Sequence, residues 1–158
     1  MLLQTTDGTD TDKNYLIGLF QQSEFNLRFD DRDVDRLKLV GVQVDTPLGG
    51  NWYLPVQAAV AYSDYLGYPG YGELLAGLGL QTRTEPGSRV QFFGQLMGGA
   101  NVHGLGAKAS AGVRYLLNDQ LAVHLAVGHI ATRDSEGRRF SGDSLGIGLD
   151  YRFAVPIR

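Results

Sequence analysis

The sequence predicts an all-β chain, an eight-stranded antiparallel up-and-down barrel built as one domain. Three observations carry that expectation. From Lys13 onward, nearly every segment alternates apolar and polar residues with period 2 rather than 3.6. The breaks between segments fall on turn-forming residues. They also alternate in kind, so that tight turns gather at one end of the strands and longer loops at the other.

The first strand is read at 14–29. Gln21 and Ser23 fall on its apolar face and predict a bulge or a break there, which leaves a ninth strand as the alternative. The charged loop "DDRDVD" leads to a strand at 36–46, and the tight turn "TPLGGN" to one at 51–64. The aromatic loop "YLGYPG" precedes 71–84, and the turn "TEPGS" precedes 88–101. "NVHGLG" then opens 107–117, "LLNDQ" turns the chain into 120–133, and "DSEGRR" returns it along 140–154. No helix of useful length fits anywhere. An even strand number suits a closed barrel with both termini at the turn end. Residues 1–12 read as a disordered polar leader, 13–154 as the barrel and 155–158 as a C-terminal tail.

Strand parity separates two faces. One carries Tyr15, Ile17, Leu19, Val40, Val42, Val44, Trp52, Leu54, Val56, Leu74, Leu78, Val90, Phe92, Leu96, Val123 and Leu125. The other carries Gln43, Asp45, Gln57, Glu73, Gln91, Gln95, Lys108, Arg114, His124, Asp150 and Arg152. Two barrels have this pattern: a soluble carrier with its apolar face inside, and a membrane barrel with that face outside. The glycines discriminate between them. The 22 glycines are about twice the usual share of roughly 7%, and Gly41, Gly77, Gly79, Gly99, Gly112, Gly128, Gly142, Gly146 and Gly148 all lie on the polar face. On a soluble exterior glycine weakens a strand and gains nothing. Inside an eight-stranded barrel, which is only wide enough for side chains to fill, long residues need small neighbours. The expected fold is therefore a transmembrane barrel whose glycine face encloses a polar interior.

The aromatic residues fit the same orientation. Tyr15, Trp52, Phe92, Tyr115, Tyr151 and Phe153 fall near the turn end of their strands, as an interfacial girdle would, and Tyr62 and Phe29 fall toward the loops. In the interior, Glu73, Lys108, Arg114, Asp150 and Arg152, with His124, are expected to form a buried ion-pair network, because buried charge is tolerated only when paired. A conducting pore is not expected at eight strands.

Composition removes several function classes. A net charge of −3 and a pI near 5.5 leave no basic footprint for nucleic acid. Without cysteine there is no disulfide, thiolate metal site or cysteine nucleophile. No stretch approaches the run of about 18–20 apolar residues of a membrane helix. "MLLQTTDGTDTDKN" has neither a basic n-region nor an apolar h-region. That start is expected of a cytosolic protein or of a mature chain with an added Met1, and the barrel argument favours the second.

One polar cluster falls on the apolar face. His129 stands near the loop end where leucine or valine is expected, and a hairpin turning at 134–139 places it opposite Asp143, with Ser141 one step nearer the loop. A Ser, a His and a carboxylate at lipid-facing positions are costly without a function. Their chemistry is that of a serine hydrolase, in which the carboxylate fixes the imidazole tautomer and the imidazole takes the serine proton. Asp31, Asp33 and Asp35 have the spacing of a calcium loop but lack its glycine and distal glutamate, so the reading is a solvated acidic loop and no metal site. Tyr65, Tyr68 and Tyr71 around Pro69 suit either a sticky outer loop or interfacial anchoring.

The closing stretch "SLGIGLDYRF" resembles the C-terminal insertion signal of the small eight-stranded outer-membrane β-barrels of Gram-negative bacteria, in which a glycine is followed after two residues by alternating aromatics, here Gly148, Tyr151 and Phe153. The chain departs from that pattern by running on through "AVPIR". The resemblance implies an outer-membrane location, with periplasmic turns and termini and external loops. The His129 region is similar in part to the lipid A 3-O-deacylases, whose motif is His-x-Ser-Asn followed by a carboxylate fourteen residues after the histidine. His129 and Asp143 match it, with Asp in place of Glu, whereas Ala131 stands at the nucleophile position and Thr132 at the Asn position. That mechanism then requires Ser141 or Ser144 as a displaced nucleophile. The expected function is a small non-conducting outer-membrane barrel with a structural or surface-interaction role. The alternatives are a lipid A ester hydrolase and a soluble lipocalin-like carrier. Outer-membrane lipids and lipopolysaccharide are the expected partners of a monomeric chain with no cofactor.

Overall fold

The computed structural model describes residues 12–29, 32–34, 37–61, 72–82, 87–101, 104–133, 135–137 and 139–156. The strands are β1 (Asp12–Phe29), β2 (Arg32–Val34), β3 (Leu37–Gly49), β4 (Trp52–Ala61), β5 (Gly72–Gln81), β6 (Val90–Asn101), β7 (Gly104–Leu116), β8 (Leu121–Arg133) and β9 (Arg139–Pro156). Each pairs antiparallel with its neighbour, and β1 pairs with β9 from Asp12↔Pro156 to Phe29↔Phe140, closing the sheet. β2 continues the register of β3 along β1, with Leu27 opposite Val34 and Glu24 opposite Leu37. The two therefore run along β1 as one stave, and the barrel has eight staves.

Gln21 and Ser23 stay in register with Ile147 and Leu145, so the bulge expected there is displaced. The register shift lies instead between Phe25 and Arg28. At the other end the pairing of Asp12 and Lys13 with Pro156 and Val155 carries the barrel into the expected tail. Residues 1–11, Asp31, Asp35, Tyr62, Tyr65, Tyr68 and Tyr71 lie outside the described residues, and Phe29 and Asp33 are described in backbone only.

Burial is inverted relative to a water-soluble protein, in which long apolar side chains go inside and charged ones outside. Leu19, Leu74, Leu96 and Ile147 are each about 60% exposed on the outer wall, while Glu24, Arg114 and Asp150 are at most 2% exposed inside it. A lipocalin-like carrier needs the opposite arrangement. The interior is layered. Leu39, Ala59, Ile130 and Phe140, with Phe20, pack toward the loop end; Leu16, Leu116 and Ala122 pack toward the turn end; polar groups fill the space between. Glycine makes this filling possible: a methyl at Gly79 would overlap the Tyr53 ring, and one at Gly112 would meet Phe93. Between the polar groups lies a cavity of about 40 Å³, lined by Gln43, Asp45, Lys108, Arg114 and Asp150 among others, room for one or two waters.

Candidate functional site

Two polar constellations result, one inside the barrel and one on its outer wall. Inside, Arg114 on β7 organises the turnward half. Its Nε donates to Asp150 at 2.9 Å, Nη2 to Asp45 at 3.3 Å, and Nη1 to Gln81 and Gln91 at 3.2 and 3.1 Å. The guanidinium also lies 4.4 Å from the centre of the Phe93 ring, a cation–π arrangement. His124 Nδ1 lies 2.9 Å from both Asp150 oxygens. Gln43 donates to Asp45 at 2.8 Å and exchanges hydrogen bonds with Gln95, which also accepts from the Tyr53 hydroxyl at 2.9 Å. Arg152 is half-buried at the turnward mouth.

The loopward half is a separate group. Lys108 Nζ donates to Gln22 at 2.7 Å, and Gln22 donates to Glu24 at 3.0 Å. Glu73 is buried nearby without a protein hydrogen-bond partner for either carboxylate oxygen, and Glu24 leaves one oxygen in the same condition. The expected network thus divides in two: Arg114 and Asp150 meet directly, while Glu73 and Lys108 belong to the other half. Gln22, Glu24 and Tyr53 were not singled out as members from the sequence. Gln22 and Glu24 share the parity of Gly18 and Phe20, a signal obscured by Gln21 and Ser23 beside them.

On the outer wall, His129 of β8 is paired with Asp143 of β9, as the hairpin length predicts. Its Nδ1 lies 2.8 Å from Asp143 Oδ1, and the two side chains are 59% and 44% exposed. In the neutral ring with Nδ1 donating to the carboxylate, Nε2 is the acceptor. Ser141 lies on the same face, opposite Ala131 on one side and Arg28 on the other. It is diagonal to His129, a relation that separates Cα atoms by about 7–8 Å. Ser144 has the opposite parity and is 5% exposed inside the barrel, so it does not share a face with His129. Beside the pair runs a shallow groove lined by Phe25, Ala109, Ala111, Val127, His129 and Asp143. Toward the turns, Trp52, Phe92, Tyr115 and Tyr151 are 42–59% exposed, and Tyr15 stacks on Phe153 at 5.6 Å between ring centres.

No protein-family model and no curated protein matches the chain. Solved structures do match its fold. It is similar to a de novo designed transmembrane β-barrel, with TM-score 0.66 and 14% identity over 96% of this chain and 100% of that one. It is similar to neisserial surface protein A, with TM-score 0.67 and 10% identity over 89% and 97%. A third similarity is to the outer membrane protein OprG from Pseudomonas aeruginosa, with TM-score 0.55 and 15% identity over 97% and 99%. At these identities the likeness is one of fold: a closed, eight-stranded antiparallel barrel of the kind found in outer-membrane proteins.

Proposed function

We propose that this chain is a small non-conducting outer-membrane barrel of a Gram-negative bacterium, monomeric, with a structural or surface-interaction role. The inverted burial carries the reading: leucines cover the wall and an ion-paired, glycine-accommodated interior fills the lumen. A lipid bilayer stabilises such a wall, and an aqueous pore needs a wider barrel. The termini and tight turns then lie on the periplasmic side and the four loops outside. Refolding into lipid vesicles tests this. The expected result is heat-modifiable gel migration with no conductance steps in planar bilayers. A chain that stays folded and monomeric in buffer without detergent contradicts the membrane reading, and discrete ion currents contradict the closed lumen.

One observation favours a second reading, a lipid ester hydrolase: the 2.8 Å contact between His129 and Asp143 on the lipid-facing surface. In that reaction Ser141 Oγ attacks the ester carbonyl and passes its proton to His129 Nε2. The alcohol leaves with that proton, and water then cleaves the acyl-serine to release the fatty acid. Mass spectrometry of lipid A incubated with the folded protein decides it. Loss of one acyl chain that disappears in His129→Ala and Ser141→Ala supports the reading, and unchanged lipid A removes it.

A further inference from the structure

We propose that the loopward outer wall of β1, β8 and β9 seats the headgroup of a phosphorylated glycolipid, with Arg133, Arg139 and Arg28 as its phosphate clamp. The inference rests on the outer-membrane reading and is independent of any hydrolysis.

Arg133 and Arg139 are direct cross-strand partners on β8 and β9, both exposed and both on the outer face. Like charges directly opposite each other destabilise a sheet, and the attraction of both to an anion bound between them offsets that repulsion. Arg28 stands on the same face, exposed, with Ser141 as its partner on β9. Three arginines from three adjacent strands therefore share the outer face at the loop end, Arg28 with an interaction partner of its own, and guanidinium groups are donors suited to bidentate phosphate binding. The described carboxylates around it are Asp143, already engaged by His129, and Glu136 in the hairpin loop, which has an interaction partner of its own.

Depth selects the class of lipid. His129 lies four residues turnward of Arg133, about 13 Å along the strand. A simple phospholipid that placed its phosphate on the arginines would present little beyond esters and acyl chain at that level. A sugar headgroup presents hydroxyl and amide groups there, and His129, Asp143 and Ser141 supply acceptors and donors for them. The adjoining groove is lined by Ala109, Ala111 and Val127, small enough to admit an acyl chain against the wall.

The test uses the barrel folded in phosphatidylcholine vesicles doped with a bisphosphorylated, acylated disaccharide, followed by extraction and native mass spectrometry. The wild type is expected to retain the glycolipid. Arg133→Gln/Arg139→Gln is expected to retain it at least about tenfold less well, the effect of losing one or two charge-assisted hydrogen bonds. The enzymatically dephosphorylated glycolipid is expected to behave as the double variant does, and His129→Leu to weaken retention by a smaller factor. Equal retention by wild type and double variant overturns the clamp. Equal retention of phosphatidylglycerol, or full displacement by inorganic phosphate, overturns the glycolipid as its occupant. Heat-modifiable migration is read on the same samples. A barrel that never inserts contradicts the outer-membrane reading, whereas one that inserts and retains no glycolipid contradicts this proposal alone.

Discussion

Gly79 and Tyr53 show at single-residue scale why this interior is rich in glycine. The tyrosine ring occupies the volume that any Cβ at 79 would need. Gly79→Val is expected to cost about 1–3 kcal/mol by overpacking, read as a lower urea midpoint for unfolding from detergent micelles. Gly98→Ala, on the outer face where the nearest atom to an added Cβ is 3.7 Å away, is expected to change that midpoint little. Charge gives a second contrast of sign. Arg114→Gln leaves Asp150 and Asp45 buried without their cation and is expected to cost about 3–5 kcal/mol. Glu73→Gln removes a buried carboxylate that has no hydrogen-bonded protein partner and is expected to be neutral or stabilising in the same assay, because Glu24 remains to balance Lys108.

Strands carried most of the information that was legible in the sequence, and their registers explain why. The β8–β9 hairpin is short enough that its loop length fixes which residues face each other, so His129 opposite Asp143 followed from numbering alone. β1 was harder to read. Gln21 and Ser23 point to the outer wall although they are polar, and the irregularity that does exist lies further on, between Phe25 and Arg28. Tyr53, Phe93 and Met97 also escaped notice, since an aromatic or apolar residue at a polar-parity position has no visible partner until the register of the adjacent strands is known, which sets Tyr53 opposite Gly79, Met97 opposite Lys108 and Phe93 diagonal to Arg114. The outer wall offers a test at this scale. Leu96 is 62% exposed at the middle of β6. Leu96→Arg is expected to cost about 2–4 kcal/mol in a bilayer, the range for a cation at the midplane of a barrel wall. The same substitution on a water-facing surface changes stability by about 0.5 kcal/mol or less, so equilibrium unfolding from vesicles separates the two.

For the whole molecule, an apolar outer wall, a plugged polar lumen and a girdle of aromatic rings near the turns are three parts of one solution to folding in lipid. Closure pairs β1 with β9 and so leaves no open sheet edge between the described strands that meet there. On the proposed reading, filling the lumen with paired charge gives up conduction for rigidity and directs function to the wall or the loops. Trp52, the sole tryptophan, is 48% exposed on the outer wall at the turn end, so its fluorescence reports directly which medium that wall meets. The decisive measurement is Trp52 emission from the protein refolded into vesicles of brominated phosphatidylcholines. The account predicts blue-shifted emission quenched strongly by bromines, more by those near the headgroup than by those near the chain ends. Red-shifted emission that bromination leaves unchanged, from a protein shown to be folded, would contradict a wall that faces lipid.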